Sequence, residues 1–359
     1  MIKPKENLKL IKPYKPGRPI EEVQRELGLT DVCKLASNES PFGPSEAVLS
    51  AMREAVEKVN LYPDSNCFYL RQELSGRSGV KDTQLIFGNG SDEIIALSIK
   101  AFVEPDENIV IASSTFLMYE VYARVCGVGV RKAAMKDFKY DLDALAGQID
   151  KKTKIVFIAN PDNPNGRYCT KIEIEDFMKK VPASVLVFLD EAYFEFMPDD
   201  GPDSSDLLFR FDNLLYSRTF SKAYGLAGLR IGYGVASEEI IAQMARVKDP
   251  FNINSVAQAA ALAALKDNNG LRRVIEHTRK EKEFIYSKLN ELGLDYVESA
   301  TNFILLNTAK DAAYITAELT EQGVIVRDMS GWGYDGFIRV SVGTRQQDEK
   351  FILCLKNLL

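Results

Sequence analysis

Tyr216-Ser217-Arg218-Thr219-Phe220-Ser221-Lys222-Ala223-Tyr224-Gly225-Leu226-Ala227-Gly228-Leu229-Arg230 joins two apolar runs, Leu214 to Ser217 and Ile231 to Ala236. Apolar runs this short, bounded by glycine and polar residues, read as buried strands. The same kind of run recurs upstream as Gln84 to Gly88, Asn108 to Ala112, Val128 to Arg131, Lys154 to Ala159 and Val185 to Asp190, with helical patterns between. Strand and helix in alternation predict a doubly wound α/β fold, with a mostly parallel seven-stranded sheet between helices. The joining segment sets Lys222 among hydroxyls and small residues and follows it, eight positions on, with Arg230. A lysine amine forms a Schiff base with a carbonyl, while hydroxyls and a guanidinium fork neutralise a phosphate. The segment suits a small molecule that carries both an aldehyde and a phosphate.

Past Ala236, a helix over Glu238 to Val247 is interrupted at Asp249-Pro250-Phe251, because proline lacks a backbone donor and biases the residue before it away from helix. The break predicts a domain boundary at 247/248. A small-residue helix (Ser255 to Leu265), a long charged helix (Leu271 to Leu292) and strands at Phe303 to Asn307, Val324 to Arg327 and Phe337 to Val342 then predict a small α+β domain over 248–359. Ahead of the large domain at 31–247, residues 1–30 form a Pro/Lys-rich arm and a short helix, Ile20 to Leu27, ended by Gly28. So few apolar residues in the arm imply that it packs on the small domain or on a partner subunit.

With 359 residues, 46% of them apolar, the chain can bury an extensive core, and its length suggests two domains or one with a satellite. A net charge of −6 argues against a nucleic-acid or membrane-surface protein. The five cysteines contain no C-x-x-C pair, which indicates reduced thiols and neither zinc site nor disulfide framework. The single histidine, His277, sits in a charged run that reads as an exposed helix face, so a histidine triad or multi-histidine metal centre is excluded. The opening residues lack a signal-peptide core, and no apolar run reaches the about 18 residues of a membrane span. The chain reads as soluble and cytoplasmic.

Three further segments carry candidate chemistry. In Phe87-Gly88-Asn89-Gly90-Ser91-Asp92-Glu93 a strand runs into a helix start through glycines, a phosphate cradle or an ordinary capped helix. Val185-Leu186-Val187-Phe188-Leu189-Asp190-Glu191-Ala192-Tyr193 delivers an acid at the carboxyl end of a strand, the edge where open α/β sheets bind ligands. Ala159-Asn160-Pro161-Asp162-Asn163-Pro164-Asn165-Gly166 follows another strand and reads locally as a turn.

Together with the Lys222 segment, these resemble the signature of fold-type I pyridoxal-phosphate aminotransferases, and the resemblance runs nearly end to end. It implies pyridoxal 5′-phosphate as cofactor, with Lys222 as the Schiff-base lysine and general base. Gly90, Ser91, Asp92, Thr219, Ser221 and Arg230 would hold the phosphate. Asp190 would pair with the pyridinium nitrogen, and Tyr193 and Asn163 with the phenolic oxygen. Phe116 stands where the family usually has a tyrosine and keeps the aromatic face for stacking on the ring. Asn165 replaces the usual threonine, which predicts altered loop packing without loss of the cofactor. Tyr62 matches a tyrosine that reaches the phosphate from the neighbouring subunit, which implies a homodimer with shared active sites. Arg339 matches the arginine that grips an α-carboxylate.

The segments Lys12 to Val23, Lys34 to Pro44 and Thr301 to Leu305 resemble the histidinol-phosphate aminotransferase branch, where Arg327 would meet a substrate phosphate and Tyr14 and Asn38 would line the pocket. This implies amino transfer between L-histidinol phosphate and 2-oxoglutarate, giving imidazole acetol phosphate and L-glutamate, in histidine biosynthesis. Competing readings are an aromatic amino-acid aminotransferase of the same branch, a decarboxylase of a phosphorylated amino acid, and a non-catalytic binding protein on the same fold. The joint presence of Lys222, Asp190, Tyr193, Asn163 and Arg230 argues against the last.

Overall fold

The computed structural model describes residues 2–11, 13 and 17–359. Its main sheet has seven strands: β1 (Leu85–Gly88), β2 (Asn108–Ala112), β3 (Gly129–Ala133), β4 (Thr153–Ala159), β5 (Leu186–Asp190), β6 (Leu214–Thr219) and β7 (Gly232–Ala236). They lie in the order β1-β7-β6-β5-β4-β2-β3, parallel throughout except that β7 runs antiparallel to both its neighbours. The expected fold class, mostly parallel and seven-stranded, is the one observed.

Apart from the edge strand β3, both faces of this sheet are buried, which is why its strands read as near-continuous apolar runs. Side chains alternate between faces with period two. Phe157, Phe188 and Leu215 join Ile94, Ile95 and Leu97 of the helix Ser91–Phe102 on one side, while Val156, Val187, Leu189 and Leu214 join a second core on the other. Truncating a ring such as Phe188, fully buried here, to alanine costs about 3–5 kcal/mol.

A second sheet of four strands, β8 (Tyr296–Val297), β9 (Phe303–Asn307), β10 (Arg327–Asp328) and β11 (Phe337–Ser341), is antiparallel in the order β8-β9-β11-β10. The run Val324 to Arg327, expected as one strand, is divided. Val324–Ile325 pairs in parallel with Cys33–Lys34, and only Arg327–Asp328 joins the four-stranded sheet. An apolar run carries no mark of where the chain changes partners.

The two packing cores interleave along the sequence. Ile253, Ala257, Ala260, Ala261, Ala264 and Leu265, on the carboxyl side of the 247/248 break, pack into the core of the large sheet. The helix Ser255–Lys266 has alanines on its buried face because it lies close against the helix Glu46–Val56. Conversely, Cys33 and Leu35 enter the core of the small sheet. The helix Ile20–Leu27, ended by Gly28 in the left-handed region, packs Val23 against Ala36 and Ile325. Nearer the start, Asn7 Nδ2 donates to Val125 O at 3.2 Å, so this part of the arm rests on the large domain of its own chain.

Candidate active site

The register of the large sheet sets Ala159, Asp190 and Ser217 side by side at the carboxyl ends of β4, β5 and β6. The loops that follow carry Asn163, Tyr193 and Lys222, so three segments far apart in sequence open onto one edge, as expected for open α/β sheets. Between them lies a cavity of about 350 Å³, within the range of small-molecule sites. Gly90, Ser91, Asp92, Phe116, Asn163, Asp190, Tyr193, Thr219, Ser221, Lys222 and Arg230 line it, together with Ser37 and Glu39.

One end of the cavity is suited to an anion. The helix Ser91–Phe102 starts there with no side chain capping its first turn, so its leading N–H groups and its dipole face the opening. Gly90 has φ 78°, and a Cβ on it would stand 2.8 Å from Arg230 Nη2, so only glycine lets the guanidinium come this close. Gly232, behind it on β7, is needed too: its Cβ would meet Ser91 N at 2.6 Å. Thr219 Oγ1 donates to Ser221 Oγ at 3.0 Å, and Arg230 Nη2 lies 3.4 Å from Asp92 Oδ2. Burial pushes the Asp92 carboxyl up, partly offset by Arg230.

At the other end Asp190 is 4% exposed. Burial raises its pKa to about 6 against the pull of a hydrogen bond from Tyr119, whose hydroxyl donates to Oδ2 at 2.8 Å; Ser217 Oγ donates to Oδ1 at 3.2 Å. Lys222 is half-buried, with Nζ donating to Ser37 O at 3.4 Å. Burial first, then the Arg339 charge, lowers its pKa to about 8. A larger share of its amine is therefore neutral and nucleophilic at physiological pH than in an exposed lysine.

The remaining expected residues fall outside the lining. Arg339 is buried on β11, donating to Asn163 Oδ1 and, at 3.2 Å, to Ala36 O. Arg327 is its direct cross-strand partner on β10, so both side chains leave the same face of the sheet, and the Arg327 guanidinium lies 5.3 Å from the Trp332 ring. Asn38 is buried, and its Nδ2 donates to the Tyr193 hydroxyl at 2.9 Å. Tyr62 is 83% exposed and stacks on Phe251, away from the cavity of its own chain. Tyr14 lies outside the described residues. His277, expected on an exposed face, is half-buried: its Nε2 is 2.8 Å from Gly343 O, and its ring packs edge-on against Phe42.

Sequence reasoning missed a supporting network. Tyr140 donates to Thr115 Oγ1 at 2.6 Å, Thr115 donates to Asp162 Oδ1 at 2.7 Å, and Asn165 Nδ2 donates to Asp162 Oδ2 at 2.7 Å. Thr115 and Asp162 directly precede Phe116 and Asn163, so the network fixes the two loops that present those side chains. Asn165, in the threonine position, also donates to Ser114 O at 3.2 Å and thereby ties the loops together. Tyr119 was missed as well. Its only signal was its place one turn beyond Phe116, on the helix Met118–Cys126.

The profile of the aminotransferase class I and II family matches residues 30–353. The chain belongs to that family. Among class I and II aminotransferases it is 46% identical over 351 residues to the histidinol-phosphate aminotransferase of Moorella thermoacetica, covering 97% of this chain and 91% of that one. It is 42% identical to the Bacillus subtilis histidinol-phosphate aminotransferase, with 99% of each chain covered. The histidinol-phosphate aminotransferase of Sinorhizobium meliloti in complex with pyridoxal-5′-phosphate superposes with a TM-score of 0.89 at 27% identity, over 99% of this chain and 98% of that one. Among the described residues no helix is long and apolar enough to cross a membrane, and no group of side chains could hold a metal ion.

Proposed function

We propose that this aminotransferase uses pyridoxal 5′-phosphate to exchange an amino group between L-histidinol phosphate and 2-oxoglutarate, giving imidazole acetol phosphate and L-glutamate, as a cytoplasmic enzyme of histidine biosynthesis. The observation that carries the substrate assignment is the pairing of Arg327 with Arg339 directly across β10 and β11. Two guanidinium groups on one sheet face suit a substrate pair in which one member is phosphorylated and the other a dicarboxylate. The full-length similarity to histidinol-phosphate aminotransferases supports the same reading.

The cavity fits the cofactor on its own geometry. An uncapped helix start beside Gly90, Arg230, Thr219 and Ser221 suits a phosphate, a buried carboxylate at the far end suits a ring nitrogen, and a lysine of lowered pKa lies between them. When bound, pyridoxal phosphate supplies an aldehyde for the substrate amine and a ring that accepts the electron pair released at Cα. Asp190 keeps a proton on the ring nitrogen, held in place by Tyr119 and Ser217. Tyr193 and Asn163 grip the phenolic oxygen, and Phe116 covers one ring face. Lys222 Nζ would take the proton from the substrate Cα and return it two atoms away, at the carbon that the cofactor's aldehyde supplied, a role that its lowered pKa favours. Arg339 holds the α-carboxylate of glutamate. Arg327 holds the phosphate of one substrate and the side-chain carboxylate of the other.

The functional unit in this reading is a homodimer. Val56, Val59, Leu61, Tyr62, Phe68, Tyr69 and Phe251 leave apolar side chains exposed within 56–69 and at 251, and a second copy covering them would bring Tyr62 to its partner's phosphate site. The test is glutamate formation from 2-oxoglutarate by the cofactor-loaded protein, with histidinol phosphate or phenylalanine as donor. A strong preference for histidinol phosphate is expected; equal or faster turnover of phenylalanine would move the enzyme to aromatic substrates, and carbon dioxide release without 2-oxoglutarate would make it a decarboxylase.

A further inference from the structure

Residues 33–40 form a strap that belongs to both halves of the molecule. Its start is strung along the small domain: Cys33–Lys34 pairs with Val324–Ile325, and Ser341 N donates to Leu35 O at 2.8 Å. Its tip, Ser37 to Glu39, reaches the cavity of the large domain. Asn38 stands at the centre with φ 55°, a conformation that asparagine tolerates better than most residues.

The hydrogen bonds around Asn38 fit one another in the following assignment of protons. Its backbone N–H donates to Ser341 Oγ at 2.7 Å, and the serine hydroxyl donates in turn to Asn38 Oδ1 at 3.1 Å. With Oδ1 committed as acceptor, Nδ2 is the amide atom that faces Tyr193, and it donates to the phenol oxygen at 2.9 Å. Asn302 Nδ2 donates to Asn38 O at 3.0 Å and fixes the backbone. Tyr193, an acceptor on the protein side, keeps its own hydrogen for an acceptor in the cavity that it lines.

We propose that Asn38 and Ser341 are positioning residues that set the direction of the Tyr193 hydrogen bond, forcing the phenol to donate into the cavity. The inference rests on the proposed function for what receives that hydrogen, the phenolic oxygen of the cofactor. It also joins the two domains: Ser341 lies two residues from Arg339 on β11, so the strand that holds the substrate carboxylate also orients the group that tunes the ring. The charged and titratable groups facing Tyr193 are Arg339, Asp190 and Asp162, with Lys222 Nζ 5.7 Å from its ring centre. None of these is altered in the variants below.

The experiment compares wild type with Asn38→Asp, Ser341→Ala, Ser341→Thr and Tyr193→Phe. Asn38→Asp tolerates the left-handed backbone but offers only acceptors, so Tyr193 would turn its hydrogen to the protein. Ser341→Ala releases the amide to flip. In the cofactor-loaded proteins, both are expected to move the pH midpoint of the visible absorbance in the direction that Tyr193→Phe moves it, by about half a pH unit or more. Ser341→Thr, which keeps the hydroxyl, is expected to match wild type. In a Tyr193→Phe background, Ser341→Ala, which adds no charge, should add little. A midpoint unmoved in both variants, or moved as far without the phenol, overturns the proposal. Without cofactor, the Cζ carbon of Tyr193 in tyrosine-labelled protein, assigned by its loss in Tyr193→Phe, should shift in both variants by NMR; an unshifted resonance in both overturns the proposal independently. A wild type that takes up no pyridoxal phosphate would count against the proposed function alone.

Discussion

The two halves of the candidate site are built differently. The large-sheet half draws Asn163, Asp190, Tyr193, Thr219, Ser221, Lys222 and Arg230 from the carboxyl ends of three neighbouring parallel strands and the loops that follow them, each residue within a few positions of a strand end. The other half, comprising Arg339, Arg327, Asn38 and Ser341, sets two neighbouring strands of the small sheet against a strap about three hundred residues away, threaded from one domain onto the other. The first is set by the register of a sheet buried on both faces and is correspondingly rigid. The second depends on how two separately packed cores meet, so on the proposed function it is the half expected to adjust when substrate binds. On the proposed function, chemistry falls to the first, rigid half and substrate selection to the second, adjustable one.

Lys222→Ala should give the largest loss if the rigid half does the chemistry. Turnover is expected to fall by about 10³-fold or more, since positioned acid–base groups alone contribute about 10²–10⁴-fold, measured as glutamate formed per active site. Multiple turnover near the wild-type rate would remove Lys222 from its role and level the two halves.

Arg339→Lys probes the adjustable half. It keeps the charge and loses the fork, at a cost of about 1.5–3 kcal/mol, or about 10–100-fold in kcat/KM. Histidinol phosphate has no α-carboxylate, so single-turnover half-reactions should show the loss with 2-oxoglutarate and little change with the amino donor. Equal losses in both halves of the cycle would mean that Arg339 supports the cavity as a whole.

Tyr119→Phe removes a donor from the buried Asp190 carboxylate while leaving the ring stacked on Phe157. A loss of about tenfold in kcat is expected, as for a hydrogen bond to a charged group. An unchanged rate would show that Ser217 suffices to hold the acid.

Asp190→Asn should show what the rigid half costs in stability. The folded-state pKa of Asp190, about 6, lies above its unfolded value, so its contribution is favourable below the unfolded pKa and is lost as pH rises through 6. At pH 8 the cofactor-free variant is therefore expected to melt a few degrees above wild type even though it is catalytically impaired. An equal or lower melting temperature would mean that the two hydroxyl donors already offset the burial.

The smallest effect is a difference between two lysines. Burial brings both Lys222 and Lys282 to about 8, so acylation of each, followed by peptide mass spectrometry, should rise with pH to a midpoint near 8. Adding pyridoxal phosphate should protect Lys222 and leave Lys282 exposed to the reagent. Protection of neither would separate the lowered pKa from cofactor binding.

Much of the large-sheet half was legible because its signals are local. A lysine among hydroxyls, a glycine-rich helix start and an acid ending an apolar strand each occupy one short segment, and parallel connection brings the ends of such segments to one edge. Tyr119 and the Tyr140–Thr115–Asp162–Asn165 network were not legible, since each is an ordinary polar residue whose partner lies on another loop. The division of Val324 to Arg327 between two sheets was hidden because Val324-Ile325-Val326 is apolar on both sides of the break.

The sequence alone determined the seven strands of the large sheet and most of the polar residues that line the cavity, because hydrophobic periodicity and backbone chemistry act over a few residues. Tertiary structure alone decided which face of β11 Arg339 shares with Arg327, that the helix Ser255–Lys266 serves the core of the large sheet, and that Asn38 donates to Tyr193. Those outcomes depend on how strands pair and on surfaces far apart in the chain meeting, where a hydrogen bond has a direction only once both partners are fixed in space.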